Sequence, residues 1–339
     1  MDRKGHNEKS IIVSMTSYPA RIQYVSSVLA SILVQTKEPD DIILWLAEEQ
    51  FPGGENDLPL ELRKMIDDDR ITLRWCEDDL KPHKKYFYAF QEYPDDLVIT
   101  IDDDLCYPPD MIENLYASYL EHPNAVSAMR VHLMVYDEEV GILPYQLWVM
   151  SYKEAPGIES MQLFPTGVGG VLYPVSLFNR EMLDKNAIEE TCIYADDIWL
   201  KLMELVSDVP VVFVSGHSNL EYIEGTQKSA LYKFNGTHND EQLIKSIRWV
   251  EERYGEGFVM DKLIAAQNET KLLSIGMLSY YYYDLYIERI DHLKKLYYAL
   301  ENSPTFRAGK IITWPGRQIK NALKHFLPQN ERKIGNGDR

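Results

Sequence analysis

The chain has 339 residues, 45% of them apolar and 12% aromatic, enough for one large core or one core with a smaller helical appendage. A formal net charge of −18 excludes a general nucleic-acid binder. No apolar run approaches the roughly 18 residues of a spanning helix, and Met1 to Ser10 is polar, without the apolar stretch of a secretory leader. Cys76, Cys106 and Cys192 are too few and too scattered for a disulfide framework or a zinc cluster. They predict a reducing, cytoplasmic setting.

In chain order, Ile11 to Met15 is a short apolar run of strand length. Tyr24 to Leu33 has helical spacing, with Val25, Val28, Leu29 and Ile32 on one face. Strands follow at Asp41–Leu46 and Ile71–Trp75, with a short helix at Leu60–Ile66 between them. A helix is predicted at Lys84–Gln91, then a β-branched strand at Asp96–Ile101. The helix over Pro109–Glu121 has proline near its first turn, where a missing N–H is tolerated. Further strands are predicted at Ala125–Arg130 and Val209–Val214, flanking a glycine-bearing loop, Thr166–Gly170, and the acidic helix start Asp196-Asp197. From Asp240 to Glu301 the pattern is largely helical and tyrosine-rich.

Strands alternating with helices predict a mainly parallel sheet covered on both faces. Such sheets bind ligands at the carboxyl ends of their strands. Three carboxylates, Asp102, Asp103 and Asp104, stand at such an end. Their mutual repulsion is relieved by a hard divalent cation, Mg²⁺ or Mn²⁺, or by solvation in an acidic turn. Thr16, Ser17 and Tyr18 offer hydroxyls and open backbone after the first strand. Arg21 is within reach of a phosphate there, unless the segment is simply a helix cap. Glu77 or Asp78, after the third strand, can accept hydrogen bonds from a base or ribose. Lys84 or Lys85, opening the next helix, can neutralise a diphosphate. Gly169 and Gly170 permit close backbone approach. Asp196 and Asp197 are helix caps or an acid–base pair, since close carboxylates push one pKa upward. His217 and His238, in polar late segments, are the remaining candidates for a metal shell.

Taken in order, these segments resemble GT-A glycosyltransferases, close to the family 2 type, over residues 10 to 215. The resemblance implies an α/β, Rossmann-like mixed sheet with flanking helices and a C-terminal helical extension. It implies a nucleotide-contacting loop at Thr16-Ser17-Tyr18, a base contact at Glu77 or Asp78, and a basic residue at Lys84 or Lys85. Asp102 to Asp104 match the DxD signature, with Asp104 and Asp102 as the metal pair. Gly169-Gly170 matches an acceptor loop, and Asp197 or Asp196 a catalytic base. The expected reaction is metal-dependent inverting transfer of a sugar from a nucleotide-diphosphate donor to a saccharide or lipid-linked acceptor, in surface polysaccharide or glycoconjugate synthesis. The Q/RxxRW signature of processive synthases is absent, which points to single-sugar transfer.

The predicted organisation is a catalytic domain over 10–240, a helical extension over 241–302 and a basic amphipathic tail over 303–339. From Ser303 onward eight Lys/Arg stand against two Asp/Glu, so the tail carries +6 and the rest −24. Such a tail suits peripheral contact with the anionic inner face of the cell membrane, or docking on the acidic body. Two rival functions share parts of the pattern. A haloacid-dehalogenase-type phosphatase also places DxD after a parallel strand, but in its first strand. A non-catalytic carbohydrate-binding module would not require the acidic triplet.

Overall fold

The computed structural model describes residues 9–137, 141–215, 221–226 and 231–269. The chain divides into two units, the first comprising Met1–Val135 with Pro144–Thr270, the second Tyr136–Leu143 with Lys271–Arg339. His217, the tyrosine-rich stretch Tyr280 to Tyr298 and the basic tail from Ser303 lie outside the described residues.

The first half alternates as its periodicity predicts. β1 (Ile11–Thr16) leads to α1 (Val25–Ile32), and β2 (Asp41–Ala47) to α2 (Leu60–Asp67). β3 (Thr72–Cys76) leads to α3 (Lys84–Glu92). β4 (Leu97–Ile101) passes through the short β5 (Leu105–Cys106) to α4 (Met111–Glu121). Short strands follow: β6 (Val126–Ala128), β7 (Val131–Leu133), β8 (Tyr136–Asp137), β9 (Gly141–Ile142), β10 (Val149–Tyr152), β11 (Glu159–Ser160), β12 (Leu163–Pro165) and β13 (Val171–Pro174). Then come α5 (Lys185–Thr191), α6 (Asp196–Val206), β14 (Val211–Phe213), β15 (Glu221–Tyr222), α7 (Leu231–Tyr254) and α8 (Phe258–Glu269). Helix α7 runs through position 240. In the second unit, β8 and β9 pair as an antiparallel hairpin.

In the first unit, eight strands form one sheet in the order β11-β14-β6-β13-β4-β1-β2-β3. Only β11 and β13 run against the others, so the sheet is mixed and mainly parallel, as expected. β4 is buried along its whole length, which is why Leu97-Val98-Ile99-Thr100-Ile101 reads as an unbroken run rather than an alternation. The antiparallel β13 was not foreseen. Its four residues directly follow Gly169 and Gly170 and read as the end of a loop.

Helix α1 buries the face its spacing predicts, Val25, Val28, Leu29 and Ile32. Each such side chain contributes about 1.5–3 kcal/mol by leaving water. The helix stops at Leu33, and Gln35 fastens its end. Its amide donates to the Ser31 and Pro108 carbonyls, and its Oε1 accepts from the Ile112 N–H at the start of α4. Replacing Leu29, which is fully buried, with alanine would remove about 2–5 kcal/mol. A second antiparallel sheet, β10-β7-β12, stands apart from the main one. Helix α7 meets α6 through Trp249 and Trp199, whose rings lie 5.0 Å apart. No helix among the described residues is long and apolar enough to cross a membrane, and all three cysteines are free thiols.

Candidate active site

Parallel pairing sets Met15 abreast of Ile101, so the residues that follow β1 and β4 emerge side by side at the carboxyl edge of the sheet. They open into a cleft of about 1100 Å³. One wall comes from the β1, β3 and β4 ends. The other comes from the β10-β7-β12 sheet and the start of α6.

Of the three consecutive aspartates, the middle one is engaged by its neighbours. Asp103 accepts from Ser17 Oγ at 2.5 Å and from Arg21 at 2.6 Å, and it is almost fully buried. Burial nevertheless outweighs Arg21 and Ser17 and raises its pKa. Asp104 lies 3.3 Å from the Arg21 guanidinium. Burial first, then the charge of Asp102, pushes Asp104 up to about 6. The backbone of Asp104 is pinned from the other side, where its carbonyl accepts the Ile223 N–H at 2.9 Å.

Lys85 joins the two walls. Its ammonium lies 2.6 Å from Asp102 and 2.8 Å from Asp196. Burial alone would lower its pKa, but Asp102, Asp196 and Asp197 together raise it well above the ordinary lysine value. Asp196 and Asp197 occupy the first turn of α6, yet they behave oppositely. Burial would raise Asp196, but Lys85 and then His83 outweigh it, so its pKa falls. Asp197 is raised well above the carboxylate range, by burial and then by the charge of Asp196. The helix N-terminus favours an ionised carboxylate at both positions, so it does not account for their opposite shifts. Asp197 accepts one hydrogen bond from the protein backbone here, from the Gly167 N–H at 3.0 Å.

Thr16, Ser17, Tyr18, Arg21, Lys84, Lys85, Asp102, Asp103, Asp104, Asp196 and Asp197 all line the cleft. Their partners were not predictable. Arg21, read as a phosphate ligand, is paired with Asp103 and Asp104. Lys84 pairs with Asp79, and Thr16 Oγ1 donates to the Trp45 carbonyl.

Three expectations are corrected. Glu77 is exposed and outside the cleft, and Asp78 pairs at the surface with Lys185 at 2.6 Å. The acid that faces the cleft is Asp79, gathered by Gln50, Lys81 and Lys84, two residues before Lys81, whose φ is +52°. Gly169 and Gly170 do not line the cleft. Gly170 has a φ of +96°, and an added Cβ would lie 2.9 Å from Met111 Sδ, so its small size serves packing on α4. The close approach belongs to Gly167, where a Cβ would lie 2.9 Å from both Asp102 Oδ1 and Lys85 Nζ. His238 is outside the cleft lining and sits near Glu241 on α7.

Sequence reasoning missed Arg130, His132, Tyr145, Phe164 and Thr166, all on the second wall. His132 and Phe164 stand on strands of three residues, too short to carry a usable period, and Arg130, Tyr145 and Thr166 lie in the connections. The one available signal was the aromatic density between Tyr145 and Phe164.

Carboxylate oxygens at Asp102 and Asp104 suit a hard cation. Among the described residues no three His, Cys, Asp or Glu side chains converge as a ready cage. A cation here would therefore complete its shell with water and substrate phosphates, as Mg²⁺ commonly does.

The sequence model of Glycosyl transferase family 2 matches residues 10–186, more than half of the chain. No curated protein matches it. Among solved structures, the chain is similar to Staphylococcus aureus TarS 1-349 in complex with UDP (13% identity, TM-score 0.44, 94% of this chain and 93% of that one covered). It is also similar to the mannosyltransferase PcManGT from Pyrobaculum calidifontis in complex with GDP-Man and Mn²⁺ (11% identity, TM-score 0.46, 95% and 88% covered). A 4-diphosphocytidyl-2C-methyl-D-erythritol synthase covers less of it (12% identity, TM-score 0.38, 66% and 97% covered). The family match sets aside the phosphatase and the non-catalytic binding module. The chain belongs to glycosyl transferase family 2 and is an enzyme that transfers a sugar from a nucleotide-sugar donor.

Proposed function

We propose that this cleft performs a metal-assisted, inverting transfer of one sugar to a hydroxyl of a saccharide or lipid-linked saccharide acceptor. The observation that supports it best is the division of labour among the aspartates. Ser17 and Arg21 hold the buried Asp103, while Asp102 and Asp104, alternate residues leaving β4 that also meet Lys85 and Arg21, face the same cleft as the raised carboxyl of Asp197.

In this reading, Thr16 to Tyr18 border the nucleoside and Asp102 and Asp104 hold Mn²⁺ or Mg²⁺. When bound, the cation would offset charge developing on the departing diphosphate. Asp197 takes the proton of the acceptor hydroxyl. A carboxylate of raised pKa is a stronger base, so burial beside Asp196 suits it to that task. The freed oxygen attacks the anomeric carbon as the bond to the diphosphate breaks, and the nucleoside diphosphate leaves with that electron pair. Asp196, held ionised by Lys85, keeps Asp197 basic rather than acting itself. Gly167 orients Asp197 through its N–H.

The test is thermal stability of the full chain with UDP, GDP, CMP and dTDP, each with and without Mn²⁺. One nucleotide should stabilise the wild type only with metal, and Asp104→Ala should abolish that response. An unchanged response in Asp104→Ala would remove the carboxylates from the metal site.

A further inference from the structure

The cations of the cleft are not treated alike. Arg21 is paired with Asp103 and Asp104, Lys81 and Lys84 with Asp79, and Lys85 with Asp102 and Asp196. Arg130 differs. Its Nε donates to Ser151 Oγ at 3.2 Å and its Nη1 to Thr166 Oγ1 at 3.0 Å. Both acceptors are neutral hydroxyls, so among the described residues the guanidinium is oriented without an ion-pair partner. It retains most of its five N–H donors.

The backbone is distorted where it holds Arg130. Ser151 has a φ of +51°, a conformation costing a serine about 1–3 kcal/mol. The β10–β7 register shifts there, between Val149 and Tyr152. Such irregularities re-aim side chains beside functional sites. Here the bend lets the Ser151 hydroxyl meet Arg130 while the Ser151 N–H donates to His132 Nδ1 at 3.0 Å. His132 then stands against Tyr145, ring centroids 5.8 Å apart, and Tyr145 is braced by Trp148 at 4.9 Å and Phe164 at 5.9 Å. A fixed aromatic ring thus borders the cleft beside a fixed cation.

This wall is tied to the base. Thr166 holds Arg130, and the next residue, Gly167, holds Asp197. We propose that Arg130 and Tyr145 form an acceptor subsite for a sugar that carries an anionic group, a phosphate or a carboxylate. The guanidinium reads the anion through paired N–H donors, and the ring of Tyr145 covers the apolar face of the acceptor. The inference rests on Asp197 marking the acceptor side, as proposed above.

The experiment titrates the full chain with glucose, glucose 6-phosphate and glucuronate. It is run with and without Mn²⁺ and the nucleoside diphosphate that stabilises the wild type. The wild type should bind at least one anionic sugar tenfold or more tightly than glucose. Preference for glucose 6-phosphate assigns a phosphate, and preference for glucuronate a carboxylate. Arg130→Gln should erase the preference, and Arg130→Lys should keep part of it. Thr166→Val, which retains the charge but loosens its hold, should weaken the preference less than Arg130→Gln. The proposal is overturned if the wild type does not prefer an anionic sugar, or if the preference survives in Arg130→Gln. The nucleotide response of each variant reports its folding. A wild type that answers no nucleotide would instead count against the donor-site reading, which the sugar titration without nucleotide does not share.

Discussion

The Gly167 N–H donates to Asp197 Oδ1 at 3.0 Å, at a point where a single added Cβ would meet Asp102 and Lys85. One backbone position therefore orients the proposed base and also limits how closely the two carboxylate-bearing walls approach.

Gly167→Ala should uncouple those two functions. The new methyl must displace Asp102, Lys85 or the loop itself, and misplacement of about 1 Å at a reacting centre lowers rate by about a hundredfold. Transfer activity should fall by at least tenfold while the protein remains folded by circular dichroism. Full activity in this variant would show that the loop has room the distances deny.

Asp197→Asn keeps the shape of the side chain and removes its basicity. Loss of a positioned general base should lower kcat by roughly 10² to 10⁴-fold. The wild-type rate should rise with pH, because the base works only when ionised and burial beside Asp196 raises its pKa. The midpoint should lie above the ordinary carboxylate range of about 4. At saturating metal, a pH profile of nucleotide release should show that limb in the wild type and not in Asp197→Asn.

Chelation by EDTA should abolish transfer, and Mn²⁺ or Mg²⁺ should restore it. Metal affinity should decline as pH falls through about 6, where Asp104 takes up a proton, because a protonated carboxyl is a poor ligand. Metal titrations at pH 5 and pH 8, followed by nucleotide-dependent stabilisation, check this.

Within α6, Lys201 and Glu204 form a fully buried pair, 3.0 Å apart. Burial raises Glu204 to about 7 despite Lys201. A folded pKa above the unfolded value of about 4.3 means the native state holds the proton more tightly. That stability is complete below about pH 4 and is lost as pH rises through about 7, by at most roughly 4 kcal/mol. Urea unfolding across pH 4 to 8 should show a shallower slope in Glu204→Gln than in the wild type. Lys201→Met alone strands the acid and should destabilise at pH 8 by about 3–5 kcal/mol. Lys201→Met with Glu204→Leu should recover most of that loss.

Local pattern was sufficient for much of the fold. The apolar runs at Ile11–Met15, Asp41–Leu46 and Asp96–Ile101 became β1, β2 and β4, and the 3.6-residue spacing of Val25, Val28, Leu29 and Ile32 became the buried face of α1. Once those strands are parallel, their carboxyl ends converge. That is why Ser17, Lys85 and Asp102 to Asp104 were legible as cleft residues before any contact was known.

What the sequence did not carry was the pairing. Arg21 meets Asp103 across 82 residues, and Gly167 meets Asp197 across 30. Runs of adjacent acids, such as Glu77-Asp78-Asp79, do not say which one faces inward, and here it is Asp79. The second wall, with Arg130, His132 and Tyr145, is built from strands of three and four residues joined antiparallel and from the turns beside them. Periodicity and strand-end position are properties of a few neighbouring residues, so the sequence by itself determined the sheet and the edge where the acids gather. Charge partners, the opposite pKa shifts of Asp196 and Asp197, and the aromatic wall depend on distances between remote segments, and only the tertiary structure decided them.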